Sequence, residues 1–302
     1  MKDRMWGPPM ALGHARVLRP GRLLWLRALA WLVFSVFAVA LAFGLSGEAL
    51  ASLSAGRGDA AAFAARAAGA VLVLLAYGLL VRFGEARHAD ELALRPVLPQ
   101  LLGGLALGGA MFALVMLLLA GAGLYEVRQI GLPAAWASAA PAIEAGIVEE
   151  VMVRGLIFRL MWRAFGPLAA FLVSAVAFGV GHLGNDNATL FAIVCIALEA
   201  GIMLGAFYAL TGRLWVSIGV HIGWNFSQGY IFGAVVSGES LGPSAAVSTA
   251  RGGYPDWLTG GPFGPEASLP SLLVCSTVGA AALWLAWRAG RFESPGRGLP
   301  SS

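Results

Sequence analysis

Apolar residues along this chain form long runs, and the short stretches between them hold most of the charged residues. A helix needs roughly 20 apolar residues to cross the roughly 30 Å of hydrocarbon in a bilayer. Most of the runs approach or exceed that length, and two are shorter. The pattern predicts an all-α fold, a polytopic membrane helix bundle with about eight transmembrane helices. The runs span residues 23–45, 67–81, 101–124, 134–161, 167–183, 188–210, 214–236 and 269–287.

The composition agrees with a membrane protein, since 59% of the residues are hydrophobic and only 12% are charged. The formal net charge is +4, but the basic residues are dispersed between apolar runs, which argues against a nucleic-acid partner. They concentrate on the side of the bilayer that holds the N-terminus, so the positive-inside rule predicts that both termini are cytoplasmic. Arginine almost replaces lysine and Ala and Gly are abundant, which favours a multi-pass protein of a bacterial inner membrane.

Two adjacent acids, Glu149 and Glu150, lie inside one apolar run, and Arg154 follows one helical turn later. A charge at the centre of a membrane helix costs roughly 2.5–3.5 kcal/mol, so these residues need a partner or a function. Glu150 and Arg154 are four positions apart and can pair on one helix face. Glu149 points about 100° away and is left available as a general base. The alternative is a structural ion cluster that ties helices together.

Two histidines occur in separate apolar runs. His182 ends the stretch Phe178-Gly-Val-Gly-His182, and His221 begins His221-Ile-Gly-Trp-Asn225. Asn225 shares a helix face with His221, and an imidazole and an amide can both donate to one oxygen. Such a donor pair suits an oxyanion hole, while Glu149 and His182 would hold and deprotonate a water molecule. The reaction class that fits is hydrolysis of an amide bond.

These three stretches resemble, in order and spacing, the motifs of the CAAX prenyl protease and bacteriocin-processing (CPBP, or Abi) family of intramembrane proteases. The stretch from Gly201 to Trp215 also looks like the segment ahead of that family's last motif. The resemblance covers about 100 residues, and the flanking helices are outside it.

The resemblance implies an intramembrane endopeptidase. Its catalytic residues would be Glu149 and His182, which activate water, and His221 and Asn225, which stabilise the oxyanion. The supporting residues would be Glu150, Arg154 and Phe178.

The cofactor is open at this stage. Glu149, His182 and His221 could supply a divalent metal such as zinc with two histidines and one carboxylate. No His-Glu-x-x-His helix is present, and the spacing does not require zinc. Catalysis with no required cofactor is the favoured interpretation.

The segments expected from these patterns follow the apolar runs. The Gly/Pro-rich loop would be either a poorly ordered connector or a lid over the site. The segments are a cytoplasmic N-terminal tail at 1–22, N-terminal transmembrane helices at 23–130, a CPBP-like catalytic core at 131–236, the Gly/Pro-rich loop at 237–268, and the last transmembrane helix with a cytoplasmic tail at 269–302.

Other polar residues carry weaker expectations. Glu144 and Glu199 would line a chamber or pair with an arginine, and Asn185-Asp186-Asn187 would cap the next helix. The drawn runs place Glu149 near mid-depth, His182 near the outer end and His221 nearer the inner side. Convergence of these three side chains therefore requires tilted or broken helices.

The expected partners are the lipid bilayer and a protein or peptide substrate. That substrate would be a membrane-associated protein or a prenylated CAAX-type chain. The alternative function is a non-catalytic membrane immunity or scaffold protein, or a proton-coupled transporter that uses the same buried acids.

Overall fold

The computed structural model describes residues 6–292, and helices make up most of that range. By length and composition, five of the described helices can cross a membrane, and a sixth apolar helix is shorter. The predicted polytopic helix bundle is therefore confirmed, and the number of eight spans stays a prediction. The ends of the predicted tails, 1–5 and 293–302, lie outside the described residues.

The first half of the chain contains three long helices, a strand and the helix that carries the paired glutamates. They are α1 (Leu24–Ser54), α2 (Asp59–Gly84), α3 (Val97–Gly121), β1 (Tyr125–Gln129) and α4 (Trp136–Glu150).

The second half alternates longer and shorter helices and adds one strand. Its elements are α5 (Arg159–Phe165), α6 (Pro167–Gly181), α7 (Leu190–Ile196), α8 (Met203–Thr211), α9 (Leu214–Phe226), β2 (Ala246–Ala250), α10 (Asp256–Thr259) and α11 (Leu269–Arg288).

Two helices differ in length from the apolar runs of the sequence, and nearby residues explain why. The short run 67–81 lies within α2, a helix of 26 residues, because an alanine-rich stretch before it continues the helix. By contrast, α6 has only 15 residues. It starts where Gly166 turns with φ 90° and Pro167 occupies the first helical turn, the position that proline tolerates.

Three helices contain π-helical segments, which the assumption of regular α-helix did not foresee. Val151–Phe158 joins α4 to α5, Ala197–Ile202 joins α7 to α8, and Ser227–Ile231 follows α9. Extra residues in a helical turn redirect neighbouring side chains and are frequent near functional sites. The first segment adjoins Glu150, the second contains Glu199, and the third begins two residues after Asn225.

Close backbone contact fixes α9 against α3. A Cβ atom added at Gly104 of α3 would lie 2.6 Å from the carbonyl oxygen of Val216 and 2.9 Å from the Cα atom of Gly219. Two glycines therefore let the helix backbones approach, as small residues do in membrane bundles. This contact positions the helix that carries His221 and Asn225.

A buried network of charged and polar side chains lies away from the adjacent glutamates of α4, and we call it the paired cluster. It consists of Glu85, Arg87, Glu91, Arg159 and Tyr77. Arg159 donates to both carboxylate oxygens of Glu85, at 2.8 and 2.7 Å. Arg87 bridges Glu85 and Glu91 at 2.8 Å each, and the Tyr77 hydroxyl donates to Glu91. The cluster ties the end of α2 to the start of α5, two elements that are distant in sequence.

The segment 237–268 is folded against the bundle. Strand β2 pairs antiparallel with β1, with Tyr125 opposite Ala250 and Gln129 opposite Ala246. Phe263 and Glu266 are buried, with 1% and 3% of their surface exposed. The expectation of a poorly ordered connector is therefore wrong, and a lid function stays a prediction.

Candidate active site

A partly open cavity of about 400 Å³ lies where α4, α6, α9 and the segment 237–268 meet. The four side chains predicted to be catalytic, Glu149, His182, His221 and Asn225, all line it. The sequence placed Glu149, His182 and His221 at different depths in the bilayer, but their side chains meet at this cavity. They meet because the helices differ in length and contain π-helical turns. The volume is in the range of small-ligand pockets.

Glu150 and Arg154 form the ion pair that helix geometry predicts. The Arg154 Nη1 atom donates to Glu150 Oε1 at 2.8 Å, and both side chains are fully buried. Arg154 also donates from Nη2 to the Ala200 carbonyl oxygen at 2.6 Å. Its guanidinium lies 4.6 Å from the centroid of the Phe178 ring, a cation–π distance. Arg154 thus connects three elements. They are the π-helical segment after α4, the π-helical segment after α7, and α6.

His221 lies between the two glutamates. Its Nδ1 atom is 3.1 Å from Glu150 Oε1, and its Nε2 atom is 3.9 Å from Glu149 Oε2. The Glu150 carboxylate can only accept, so Nδ1 carries the proton in that contact. The separation from Glu149 is too long for a direct hydrogen bond and suits one bridging water molecule.

The Glu149 side chain is open to the cavity, with 35% of its surface exposed, whereas Glu150 has none exposed. The adjacent acids therefore have different environments, as their positions on the helix predict.

His182 ends α6, and its orientation is fixed by its own helix. The Nδ1 atom lies 2.8 Å from the carbonyl oxygen of Phe178, so Nδ1 is the donor in this contact and Nε2 takes no part in it. The Phe178 ring contacts both histidines, with centroid distances of 5.0 Å to His182 and 5.9 Å to His221. Phe178 thereby separates the two imidazoles across one wall of the cavity.

Sequence reasoning missed Glu266, which lies in the Gly/Pro-rich segment and reaches the cavity. The Ser237 Oγ atom donates to Glu266 Oε1 at 2.6 Å, and Glu266 is close enough to His182 for their charges to interact. Burial raises the pKa of Glu266 above its ordinary value, although its hydrogen bonds and His182 oppose that shift. The only signal in the sequence was a carboxylate in an otherwise weakly charged segment.

Two of the weaker expectations can be compared with the structure here. Glu144 lines the cavity, and its Oε1 atom is 3.5 Å from Arg66 Nη1. The predicted Asn cap is wrong, because Thr189 caps α7 by accepting from the Ala192 amide at 3.1 Å. Asn185 instead donates to the Ser237 carbonyl oxygen at 2.9 Å and lines the cavity.

The cavity residues do not fit a zinc site made of Glu149, His182 and His221. Among residues 6–292, no group of three His, Cys, Asp or Glu side chains is arranged to hold a metal ion.

Several helices are apolar and long enough to span a bilayer, and ionisable side chains surround a cavity between helices. These features define a polytopic membrane protein with a polar site inside the helix bundle. Residues 131–227 match the family described as Rce1-like, Type II CAAX prenyl endopeptidase Rce1-like. The predicted resemblance is confirmed over that segment, and the match supports peptidase activity in general. No curated protein and no solved structure matches the chain.

Proposed function

We propose that this protein is an intramembrane endopeptidase that hydrolyses a peptide bond of a membrane-associated or prenylated CAAX-type substrate. The observation that carries the proposal is the position of His221, whose two ring nitrogens face Glu150 and Glu149. The family match over residues 131–227 supports the same reaction class.

The charges around His221 favour a specific protonation pattern. Two carboxylates, Glu149 and Glu150, face one guanidinium, Arg154, and one imidazole. If His221 is an imidazolium, the four groups sum to zero charge, which lowers the cost of burying them. An imidazolium has an N–H group on both nitrogens, so Nε2 can donate into the cavity while Nδ1 donates to Glu150.

Glu149 and His182 activate the attacking water in this proposal. Glu149 is the exposed acid of the pair and accepts a proton from water as the oxygen attacks the scissile carbonyl carbon. His182 has Nε2 free to accept a hydrogen bond, because Nδ1 is used on its own helix. The two side chains hold the water from different walls of the cavity.

His221 and Asn225 stabilise the oxyanion that forms on the carbonyl oxygen. Both lie on α9 one turn apart and line the cavity. The negative charge moves from Glu149 to the oxyanion in this step, so the total charge of the site does not change. Glu149 then gives the proton to the leaving nitrogen as the oxyanion reforms the carbonyl and the C–N bond breaks, which yields a carboxylic acid and an amine.

The walls of the cavity suit a substrate that reaches it from the membrane. Apolar side chains such as Val148, Leu204 and Trp224 line it together with the polar groups. We place the enzyme in the inner membrane of a bacterium with both termini cytoplasmic, as the arginine distribution indicates.

The test uses the purified full-length protein in lipid vesicles with two peptides, one a prenylated CAAX-type peptide and the other an unprenylated membrane-anchored peptide. Cleavage is followed by mass spectrometry. We expect the wild type to cleave at least one of them, and Glu149→Gln to lower kcat by about 10²–10⁴-fold.

The matched control is Glu144→Gln, which removes a carboxylate from the same helix and the same cavity. It should retain cleavage within about threefold, because Glu144 faces Arg66 and is partly exposed. Full activity in the Glu149→Gln protein, or no cleavage of either peptide by the wild type, would contradict the proposed function.

A further inference from the structure

Two buried carboxyl groups in the cavity have no role in the proposed hydrolysis. Glu199 lies in the π-helical segment Ala197–Ile202, and Glu266 lies in the folded segment after α9. Each has only 3% of its surface exposed, and both line the cavity. They are close enough for their charges to interact, so the cavity holds two acids that the catalytic residues do not require.

The hydrogen bonds of these acids leave one oxygen without a partner. Glu199 Oε2 accepts from the Ser271 hydroxyl at 2.8 Å, and Glu266 Oε1 accepts from the Ser237 hydroxyl at 2.6 Å. Glu199 Oε1 is buried and has no hydrogen-bond partner among the residues that the structure describes. Serine donors are neutral, so neither carboxyl group has its charge balanced by them.

Within residues 6–292, no ion pair includes Glu199 or Glu266, although every other fully buried acid discussed above has a cationic partner. An unpaired buried carboxyl group with an unsatisfied oxygen costs several kcal/mol. A positively charged group with several N–H donors would relieve both deficits, because it supplies the missing hydrogen bond and the missing charge.

The rest of the cavity also favours a cation. Glu144, Glu149 and Glu239 add carboxylates to its lining, and Arg66 is the only arginine or lysine that lines it within residues 6–292. Clefts lined by one sign of charge raise the local concentration of oppositely charged ligands. A metal ion is the less favourable occupant, because the described residues contain no set of three suitable ligands.

We propose that Glu199 and Glu266 form a subsite that binds a basic side chain of the substrate, a lysine ammonium or an arginine guanidinium, near the scissile bond. The subsite rests on the proposed endopeptidase function and specifies its substrate. Glu266 interacts with His182, so the basic residue binds on the His182 side of the cavity. The serine hydroxyls hold both carboxyl groups in place before the substrate arrives.

The experiment compares peptides that differ only in charge at one position. Membrane-anchored peptides carry lysine, norleucine or glutamate at each of several positions around the scissile bond, and kcat/KM is measured with the full-length protein in vesicles. We expect lysine to exceed norleucine by at least about tenfold at one position, and glutamate to be the poorest substrate there.

The Glu199→Gln/Glu266→Gln double variant keeps the shape and the serine contacts of both residues. Its lysine-to-norleucine ratio should fall to near one, while cleavage of the norleucine peptide changes by less than about threefold. Glu239→Gln is the matched control, because Glu239 lines the same cavity but is exposed, and the lysine preference should persist. A preference that the double variant retains, or no lysine preference at any position, would overturn the subsite.

Binding is measured separately from cleavage in the Glu149→Gln protein. The lysine peptide should raise the thermal-unfolding midpoint more than the norleucine peptide does, and the two added Glu→Gln changes should remove that difference. Stabilisation by MgCl₂ but not by the lysine peptide would point to an inorganic cation site and overturn the proposal. If the peptides bind as expected and no peptide is cleaved by the wild type, the endopeptidase function fails and the subsite stands.

Discussion

The paired cluster and the cavity both place acids and bases in the interior of the helix bundle, but with different degrees of pairing. In the paired cluster, Arg159 makes two hydrogen bonds to Glu85, and Arg87 bridges Glu85 to Glu91. In the cavity, Glu149 stays 3.9 Å from His221, and Glu199 has an oxygen with no partner among the described residues.

The difference indicates what each region is for. A buried charge that is fully paired holds elements together, and its partners are satisfied without a ligand. A buried charge that is only partly paired costs stability, so its retention points to a ligand or a reaction. By this criterion the paired cluster is structural, and the cavity is functional.

The largest effect on stability should come from breaking the paired cluster. Glu85→Gln removes the carboxylate that accepts two hydrogen bonds from Arg159, and removing one member of a buried pair costs about 3–5 kcal/mol. We expect a clear fall in the thermal-unfolding midpoint in detergent, with cleavage per folded molecule little changed. Asp90→Asn is the control, because Asp90 is exposed and its change should cost under about 0.5 kcal/mol.

Substitution of a cavity residue should lower activity and leave stability almost unchanged. Asn225→Ala removes one proposed oxyanion donor, and loss of such a donor lowers kcat by about 10²–10³-fold. Asn225 is only half-buried, so the unfolding midpoint should stay close to that of the wild type. A large loss of stability with unchanged kcat would place Asn225 among the structural residues and contradict the comparison.

Helix packing positions α9 beside the cavity, and a smaller change tests that. Gly104→Ala puts a methyl group against the backbone of α9, which should cost about 1–3 kcal/mol by overpacking and reduce kcat by moving His221 and Asn225. The adjacent Gly103→Ala is the control, since nothing lies within 4 Å of its added Cβ. Equal effects of the two changes would argue against this packing role.

The smallest effect is a pH dependence. Burial opposes ionisation of Glu85, but Arg159 and Arg87 outweigh it and hold the pKa of Glu85 below its ordinary value. A carboxyl group with a lowered folded pKa stabilises the protein above its unfolded pKa and loses that contribution as the pH falls through the folded pKa. The wild type should therefore lose stability on acidification below about pH 4.5.

Glu85→Gln should show a shallower loss over that range, because the titrating group is gone. Unfolding midpoints collected at several acidic pH values provide the measurement. Parallel pH profiles for the two proteins would mean that the Glu85 carboxylate does not contribute.

Local features of the site could be predicted from the sequence. The spacing of Glu150 and Arg154 fixes them on one helix face, and the structure pairs them at 2.8 Å. The apolar runs predicted the helix bundle because lipid requires backbone groups to be satisfied within each span. Both arguments use neighbours in sequence, for which helix geometry is sufficient.

Contacts between distant segments could not be predicted in this way. Glu85 and Arg159 lie 74 positions apart, and no periodicity links them. Glu266 reaches the cavity only because the segment after α9 folds back over the bundle. The π-helical segments were also missed, since a pattern read at 3.6 residues per turn assumes that they are absent.

The two-stranded sheet of β1 and β2 has a consequence for the order in which the molecule is completed. Its strands lie before and after the family-matching segment 131–227, so they cannot pair until the chain between them has been synthesised. Pairings between distant segments form slowly, and Glu266 follows β2 in the chain. The cavity wall that includes Glu266 therefore closes after the catalytic helices have been made, and we expect a nascent chain to hold those helices in the membrane before it can cleave anything.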